Sequence, residues 1–170
     1  MRIAVSAASG RLGHAILRRF GQRQLDPVAI VRNPARMRLA GVEARAADYA
    51  DPPALRAALA GIDTLVMISA PVVDGTDRVA LHRNVIAAAR DAGVGHVIFT
   101  SVIGSEAAAD TWFGPTWAIN QATERDLRES GLAWTVARNG LYLDLDIIQI
   151  RNAAVSGVYT NPAGEGRCGY

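Results

Sequence analysis

Short runs of β-branched and apolar residues alternate along the chain with longer, alanine-rich stretches of helical periodicity. Two of these runs, 64–69 and 96–100, are apolar at successive positions, which is typical of strands that helices cover on both faces. The alternation predicts βαβ units that build a doubly wound parallel sheet, the Rossmann fold of the α/β class. The predicted strands are residues 2–6, 28–32, 42–46, 64–69, 96–100 and 134–138.

Capping and turn residues mark the ends of the predicted helices. Asp51, followed by Pro52, predicts the start of one helix, and Gly61 lies just past its end. Thr76 is the predicted N-cap of the next helix, which Gly93 closes. Two further helices are predicted at about 116–130, before Gly131, and at 141–155, before Gly157.

The composition fits one globular domain spanning residues 1–170. Half of the residues are hydrophobic and a fifth are charged, so the chain is apolar enough to bury a core. The single cysteine, Cys168, has no internal disulfide partner, which favours a cytoplasmic protein. Apolar runs fall far short of the roughly 20 residues of a membrane-spanning helix, so no membrane span is expected.

The charged residues exclude two classes of function. Every basic residue is an arginine, and the arginines are scattered among acidic residues at a net charge of +2. Because this pattern forms no basic stripe, nucleic-acid binding is not expected. The three histidines, His14, His82 and His96, are widely separated and lack cysteine partners, so no metal site is expected.

The strongest chemical signal is the glycine-rich segment VSAASGRLGH at 5–14, which follows the first strand and opens the first helix. A turn at this position lets backbone N–H groups and a helix N-terminus face the pyrophosphate of a dinucleotide. Gly10 and Gly13 fill the last two places of a Gly-x-x-Gly-x-x-Gly spacing, but Ala7 occupies the first. Because alanine disfavours positive φ, we expect a shifted turn or weaker cofactor binding.

A second signal lies at the end of the second strand. Domains that bind NAD present a carboxylate there to the ribose hydroxyl groups, whereas this strand ends in Arg32. A guanidinium pairs with a 2′-phosphate that an acid would repel, so the predicted cofactor is NADP(H). Arg11 and Arg36 are expected to assist. The alternative is that Arg32 only ends a strand in solvent.

The chain contains six segments that occur together in one known family: VSAASGRLGH, AIVRNPAR, ADYADP, LHRNVIAAARDAGV, FTS and ARNGLY, beginning at residues 5, 29, 47, 81, 99 and 137. With them the chain resembles the NmrA-like atypical short-chain dehydrogenases, especially the bacterial NADPH:quinone oxidoreductases of that group. Members of the family are usually longer and carry a smaller C-terminal substrate lobe, which implies that such a lobe starts near residue 141. A strand-like segment at 158–160 and a turn at 161–166, cut short at 170, also suggest a truncated protein.

The resemblance also implies roles for individual residues. It places a loop around the pyrophosphate, an arginine at the 2′-phosphate, an aspartate near the adenine, and a segment beside the ribose and nicotinamide. It implies a superfamily active-site serine at Ser101, and it places Asn139 and Tyr142 beside the nicotinamide or the substrate. The implied cofactor contacts are Ala7, Ala8, Gly10, Arg11, Leu12, Gly13, Arg32, Asp48, Ser69, Ala70 and Pro71.

Short-chain dehydrogenases that act on alcohols use a Tyr-x-x-x-Lys pair for proton transfer. Here Thr116 and Asn120 stand at those places, and the chain contains no lysine. Loss of the pair argues against alcohol dehydrogenase and epimerase chemistry. A quinone that accepts a hydride becomes an acidic hydroquinone anion, for which water or a weak donor such as Tyr142 is enough.

The leading hypothesis is therefore an NADPH-dependent oxidoreductase that acts on quinones or similar small electrophiles. A non-catalytic NADP(H)-binding redox sensor of the NmrA type is the alternative, and a cofactor-free fragment that binds a partner is the third. A homodimer is among the assemblies left open. Three nearby aromatic residues, Trp112, Phe113 and Trp117, are interpreted as core residues in preference to a wall that stacks on a quinone.

Overall fold

The computed structural model describes residues 1–37, 39–71, 75–140 and 142–158. The chain divides into two compact units, Met1–Ala137 and Arg138–Tyr170. The predicted strand-like segment at 158–160 and the turn at 161–166 lie almost wholly outside the described residues.

All six predicted strands and the predicted helices are present, within a few residues of the expected ends. The strands are β1 (Ile3–Val5), β2 (Val28–Val31), β3 (Glu43–Ala46), β4 (Thr64–Ile68), β5 (His96–Val102) and β6 (Ala133–Asn139). The helices are α1 (Arg11–Gln22), α2 (Pro52–Ala58), α3 (Arg78–Asp91), α4 (Gly114–Arg128) and α5 (Leu143–Ser156), with single 3₁₀ turns at Pro34–Arg36 and Glu106–Ala108.

The strands form one sheet in the order β3-β2-β1-β4-β5-β6. The pairs β3–β2, β2–β1, β1–β4 and β4–β5 are parallel, and Val5 stands opposite both Ala29 and Val66 in the register. This order is that of a dinucleotide-binding doubly wound sheet, so the predicted Rossmann fold is confirmed.

Helices cover both faces of the sheet, because alternate residues of each central strand point to opposite sides. On one side, Leu65 and Phe99 pack with α2, α3 and α4, and Leu55, Val85 and Leu127 are buried there. On the other side, a smaller core forms around α1; it contains Val5, Leu17, Ala29, Val31 and Val66. Buried on both faces, β2 and β4 are therefore nearly continuous apolar runs.

The helix starts show which capping predictions hold. Asp51 caps α2 as predicted, since its carboxylate accepts from the Ala54 amide at 3.0 Å. The predicted cap Thr76 is wrong: Asp77 is the N-cap of α3, and its carboxylate accepts from the Ala80 amide at 3.0 Å. A side chain caps the third amide of a helix from the residue directly before the first turn. Because α3 begins at Arg78, that residue is Asp77, one position later than predicted.

Strand β3 lies at an edge of the sheet and carries charged residues. The carboxylate of Glu43 pairs with the guanidinium groups of Arg2 and Arg45. Arg45 also donates to two carbonyl oxygens, each at 2.8 Å: that of Ala58, the last residue of α2, and that of Ala60, just after it. The edge strand is thereby tied to β1 and to α2 through side chains.

Two features are absent from the described part of the chain. No helix there combines the length and the apolar character needed to cross a membrane. Within the same residues, no group of three or more histidine, cysteine, aspartate or glutamate side chains is arranged to hold a metal ion.

Candidate functional site

A crevice opens at the carboxyl ends of β1 and β4, where the order of the sheet reverses. From β1 the chain turns through α1 to β2 on one side, whereas from β4 it turns through α3 to β5 on the other. The loops therefore diverge at this point, and ligands of open α/β sheets bind in the space between them.

The turn after β1 closes tightly in spite of its alanine. Ala7 adopts the left-handed conformation with φ +48°, and the Gly10 amide donates to the Ala7 carbonyl at 3.0 Å. The Ala8 amide donates to the carbonyl of Ile30 at 3.2 Å, which fixes the turn against β2. The methyl group of Ala7 thus does not keep the turn from closing, at a backbone strain of about 1–2 kcal/mol, and the expected effect on cofactor binding stays a prediction.

Glycine at position 13 lets α1 approach the turn closely. A Cβ atom on Gly13 would stand 2.6 Å from the Cα atom of Ala8 and 2.8 Å from the carbonyl oxygen of Ala7. Gly10 is the N-cap of α1 and contributes no side chain to its first turn. Backbone N–H groups at this helix start are therefore without a capping side chain and suit an anion.

A cavity of about 550 Å³ begins at this turn and extends past the carboxyl ends of β2, β3 and β4. Ten of the eleven predicted cofactor contacts line it, and the exception is Ala8, which is fully buried below the turn. Sequence reasoning missed part of the lining, above all Tyr49. Its signal was its place next to Asp48 in the ADYADP segment.

The phenol of Tyr49 holds the floor of the cavity. It donates to the carbonyl of Ile68 at 2.7 Å and lies 2.5 Å from the hydroxyl of Ser6, which in turn accepts from the Ile68 amide at 3.0 Å. Burial raises the pKa of the Tyr49 phenol far above its ordinary value, so the group remains a hydrogen-bond donor. The ends of β1 and β4 and the loop after β3 are joined through these three residues.

The charges at the rim favour a ligand with phosphate groups. Arg32, directly after β2, lines the cavity, is exposed and has no ion-pair partner among the described residues. Arg11, in the first turn of α1, lines the same cavity. Asp48 is half-buried at the end of β3, where its Oδ1 atom accepts from the Ala50 amide at 3.0 Å. An acid is therefore present beyond β3 but not at the end of β2.

A family model described as NAD(P)H-binding matches residues 7–160. The chain belongs to this NAD(P)H-binding family. It is 37% identical over 172 residues to quinone oxidoreductase 2 of Escherichia coli, across 97% of this chain and 57% of the relative. It is 36% identical over 151 residues to an NmrA-like oxidoreductase of Aspergillus flavus, across 85% of this chain and 49% of the relative.

A solved structure agrees with these relatives. The crystal structure of the Citrobacter sp. triphenylmethane reductase complexed with NADP(H) matches with a TM-score of 0.84 and 34% identity, across 95% of this chain and 58% of the reductase. The predicted resemblance to NmrA-like dehydrogenases is confirmed. The NAD(P)H-binding chain spans about half the length of the curated relatives it matches.

The described residues fit a dinucleotide. The close approach of α1 to the turn at Gly13 leaves backbone N–H groups, rather than side chains, facing the space where a pyrophosphate would bind. The cavity extends from this turn past Asp48 to the segment Ser69–Pro71, and its volume lies within the range of small-molecule sites. Arg11 and Arg32 supply positive charge at the rim.

The predicted active-site residue Ser101 lies elsewhere in the NAD(P)H-binding chain. Its side chain is 2% exposed on β5, it is not part of the cavity lining, and its hydroxyl donates to Oε1 of Glu124 at 2.6 Å. Glu124 is fully buried and also accepts from Arg128 at 2.7 Å. In this arrangement Ser101 stabilises a buried carboxylate.

The places of the missing Tyr-x-x-x-Lys pair lie on α4. Asn120 is fully buried, and its Nδ2 atom donates to the carbonyl of Thr116 at 2.8 Å. Neither residue carries a group that exchanges protons near neutral pH. The structure therefore offers no acid–base pair at these two positions.

Asn139 and Tyr142 belong to the second unit, which is described by itself. Asn139 ends β6, and its Nδ2 atom donates to the hydroxyl of Tyr142 at 3.2 Å. The Tyr142 side chain is 44% exposed. The predicted pair is thus brought together within its own unit, and its role at the nicotinamide stays a prediction.

The aromatic prediction is wrong for one of its three residues. Trp112 is 76% exposed and meets Phe113 edge to face, with 5.6 Å between the ring centroids. Trp117 is partly buried, and its ring packs so closely on Gly104 that a Cβ atom there would stand 2.7 Å from it. Trp112 is exposed because it stands in the loop before α4, whereas Trp117 lies within the helix.

Proposed function

We propose that this chain is the NADP(H)-binding part of an oxidoreductase that transfers a hydride from NADPH to a quinone or a similar electrophile. The observation that carries the proposal is the joint lining of one cavity by the glycine-rich turn and Arg32. The turn suits a pyrophosphate, and a guanidinium at the end of β2 suits a 2′-phosphate.

Relatives support the substrate class. The name of the Escherichia coli relative states quinone reduction, and the Citrobacter reductase was crystallised with NADP(H). Both proteins are longer than this chain. The quinone-like substrate is therefore proposed for the whole protein.

The residues of the chain bind and orient the cofactor in this proposal. N–H groups of the turn and of the first turn of α1 bind the pyrophosphate, Arg32 pairs with the 2′-phosphate, and Ser69–Pro71 border the ribose and nicotinamide. NADPH, when bound, supplies the hydride. Orientation is the main catalytic contribution of the protein, since holding the reactants in place removes much of the entropic barrier.

A strong proton donor is not required. Reduction of a quinone by a hydride yields a hydroquinone anion, which water or a weak acid protonates. Tyr142 is the proposed weak donor: its hydroxyl accepts from Asn139, so its own proton remains available. The hydroxyl of Ser101 donates a hydrogen bond to Glu124, so Ser101 is a poorer candidate for the proton donor than Tyr142.

The test is a titration of the protein with NADPH and NADH, followed by addition of a simple quinone such as 1,4-benzoquinone and measurement of absorbance at the nicotinamide band. We expect tighter binding of NADPH and oxidation of it only when quinone is present. Binding without turnover in the full-length protein would favour the redox sensor, and absence of NADPH binding would refute the proposal.

The predicted cytoplasmic location and homodimer stay predictions, which fractionation and light scattering would test.

A further inference from the structure

The cavity wall formed by Ser69 and Ala70 is held from behind by α3. The Ala70 amide donates to Nε2 of His82 at 2.8 Å, and Nε of Arg78 donates to the Ala70 carbonyl at 2.9 Å. Nη2 of Arg78 also donates to the hydroxyl of Ser69 at 2.9 Å. Two side chains one helical turn apart therefore bind both polar backbone groups of Ala70, directly behind a surface that lines the cavity.

The guanidinium of Arg78 is a buried charge without a carboxylate partner among the described residues. Arg78 is 6% exposed, and its Nη1 atom is buried with no hydrogen-bond partner in the described part of the chain. A buried charge is ordinarily paired, because desolvation of an unpaired one is costly. Burial accordingly lowers the pKa of Arg78 from its ordinary value.

The neighbouring imidazole of His82 adds no charge to that of Arg78. Thr123 uses its hydroxyl proton in a hydrogen bond to the Ile119 carbonyl at 2.9 Å, so Nδ1 of His82 donates to the Thr123 oxygen at 2.7 Å. Because Nε2 accepts from Ala70, His82 is neutral and carries its proton on Nδ1. Among the described residues, the positive charge of Arg78 thus lies behind the wall without a negative charge to balance it.

We propose that Arg78 is a positioning residue that fixes the Ser69–Ala70 wall and places behind it a positive charge that favours anionic over neutral ligands in the cavity. The inference rests on the proposed function, in which the anion is the phosphate-bearing cofactor. To the residues proposed to bind the cofactor, the inference adds the charge of Arg78, which acts from behind the wall without touching the ligand. If the wall needed only hydrogen-bond donors, a neutral amide side chain would serve as well as a guanidinium.

Two variants separate the charge from the hydrogen bonds. Arg78→Gln keeps a donor for the Ala70 carbonyl and removes the charge, whereas Arg78→Lys keeps both a donor and the charge. The control is Arg83→Gln, which removes a positive charge from the same helix at an exposed side chain paired with Asp126. For each purified protein, dissociation constants are measured for NADPH and for dihydronicotinamide riboside, an uncharged ligand that carries the nicotinamide end of the cofactor, at a temperature where melting curves show the protein folded.

The readout is the ratio of the dihydronicotinamide riboside to the NADPH dissociation constant. Because a charge acts through a protein interior with little screening, Arg78→Gln should lower this ratio about tenfold. Arg78→Lys and Arg83→Gln should leave it within about threefold of wild type. A purely structural role of Arg78 would weaken both ligands by the same factor and leave the ratio unchanged.

The outcomes distinguish this inference from the proposed function. Wild-type protein that fails to bind NADPH would overturn both. Wild-type protein that binds NADPH, together with Arg78→Gln that keeps the wild-type ratio, would overturn the role of Arg78 alone. If Arg78→Gln does not fold, Arg78→Lys decides through its pH dependence, because a buried lysine can lose its proton whereas an arginine keeps it. Raising the pH until this lysine is neutral should lower its ratio about tenfold relative to wild type at the same pH, and an unchanged ratio would contradict the role of the charge.

Discussion

The imidazole of His82 meets the ring of Phe99 edge to face in the core, with 5.6 Å between the ring centroids and 65° between the planes. Burial, and in second place the charge of Arg78, lower the pKa of His82 to about 4 from its ordinary value of 6.5. Burial in apolar surroundings and repulsion by the charge of Arg78 thus both keep the imidazole neutral.

This pKa predicts acid lability. Between pH 6.5 and about 4 the unfolded chain binds a proton at His82 that the folded protein does not bind, so stability falls as the pH falls through this window. The shift corresponds to about 3 kcal/mol, fully present above pH 6.5 and lost below pH 4. Urea unfolding at pH 7, 6 and 5 measures it. His82→Gln should flatten this pH dependence, and an unchanged slope in that variant would contradict the assignment.

Arg32 should determine cofactor choice. Arg32→Ala should weaken NADPH binding by roughly ten- to a hundredfold and leave NADH nearly unchanged, because only NADPH has a 2′-phosphate to form the charge-assisted pair. Raised salt should reduce the preference, since the pair is exposed. Arg56→Ala, which removes an exposed arginine from α2 outside the cavity, is the matched control. Equal weakening of both cofactors by Arg32→Ala would contradict the NADP(H) prediction.

Ala7→Gly should keep or improve cofactor affinity. Glycine adopts φ +48° without strain, although it adds freedom to the unfolded chain, so the free energy of unfolding should change by less than about 1 kcal/mol. The control is Ala8→Gly, next to it, where a buried methyl group is lost from a residue without positive φ. That variant should be less stable by about 1 kcal/mol. Weaker NADPH binding by Ala7→Gly would show that the methyl group of Ala7 contacts the cofactor.

Gly13→Ala should open the turn. Its Cβ atom would overlap backbone atoms of Ala7 and Ala8, which cannot move aside as a flexible side chain could. We expect a loss of stability of about 1–3 kcal/mol and a large loss of NADPH affinity. Gly21→Ala in the same helix meets nothing within 4 Å and should instead stabilise the protein by about 0.5–1 kcal/mol. Thermal melts and NADPH titration of the two variants side by side provide the measurement.

Ser101→Ala tests the sequence-based catalytic prediction against the hydrogen bond to Glu124. The variant removes a 2.6 Å donor from a buried carboxylate, so we expect a loss of about 1–3 kcal/mol of stability. Ser105→Ala, at an exposed residue of the following loop, should cost little. If Ser101 acts only on Glu124, quinone reduction by the folded variant should persist. A loss of turnover at unchanged NADPH affinity would support the catalytic role.

The sequence was informative wherever a pattern is local. Central strands such as β4 are apolar because both of their faces are buried, and the glycine-rich turn precedes α1 as its spacing predicts. Since parallel strands end at one edge of the sheet, the order of the motifs was enough to bring Arg32 and Ser69 to one cavity.

Features that depend on contacts between distant segments escaped prediction. Tyr49 contacts Ser6 across 43 positions, and Arg78 reaches from the start of α3 back to Ser69 after the end of β4. The pairing of Ser101 with Glu124 joins β5 to α4 across 23 positions and involves a hydroxyl to which the family resemblance gives an active-site role. The spacing of residues along the sequence does not predict these contacts.

The charged edge of the sheet has a consequence for association. An edge strand offers unpaired backbone groups to any other strand, and an apolar edge is prone to aggregate. On β3, Glu43 and Arg45 alternate with alanine, and Arg45 is held by two carbonyl groups near the end of α2. A foreign strand that added here would have to displace these ion pairs and desolvate their charges. Growth of the sheet into a fibril is therefore disfavoured at this edge by the same residues that fasten it to the domain.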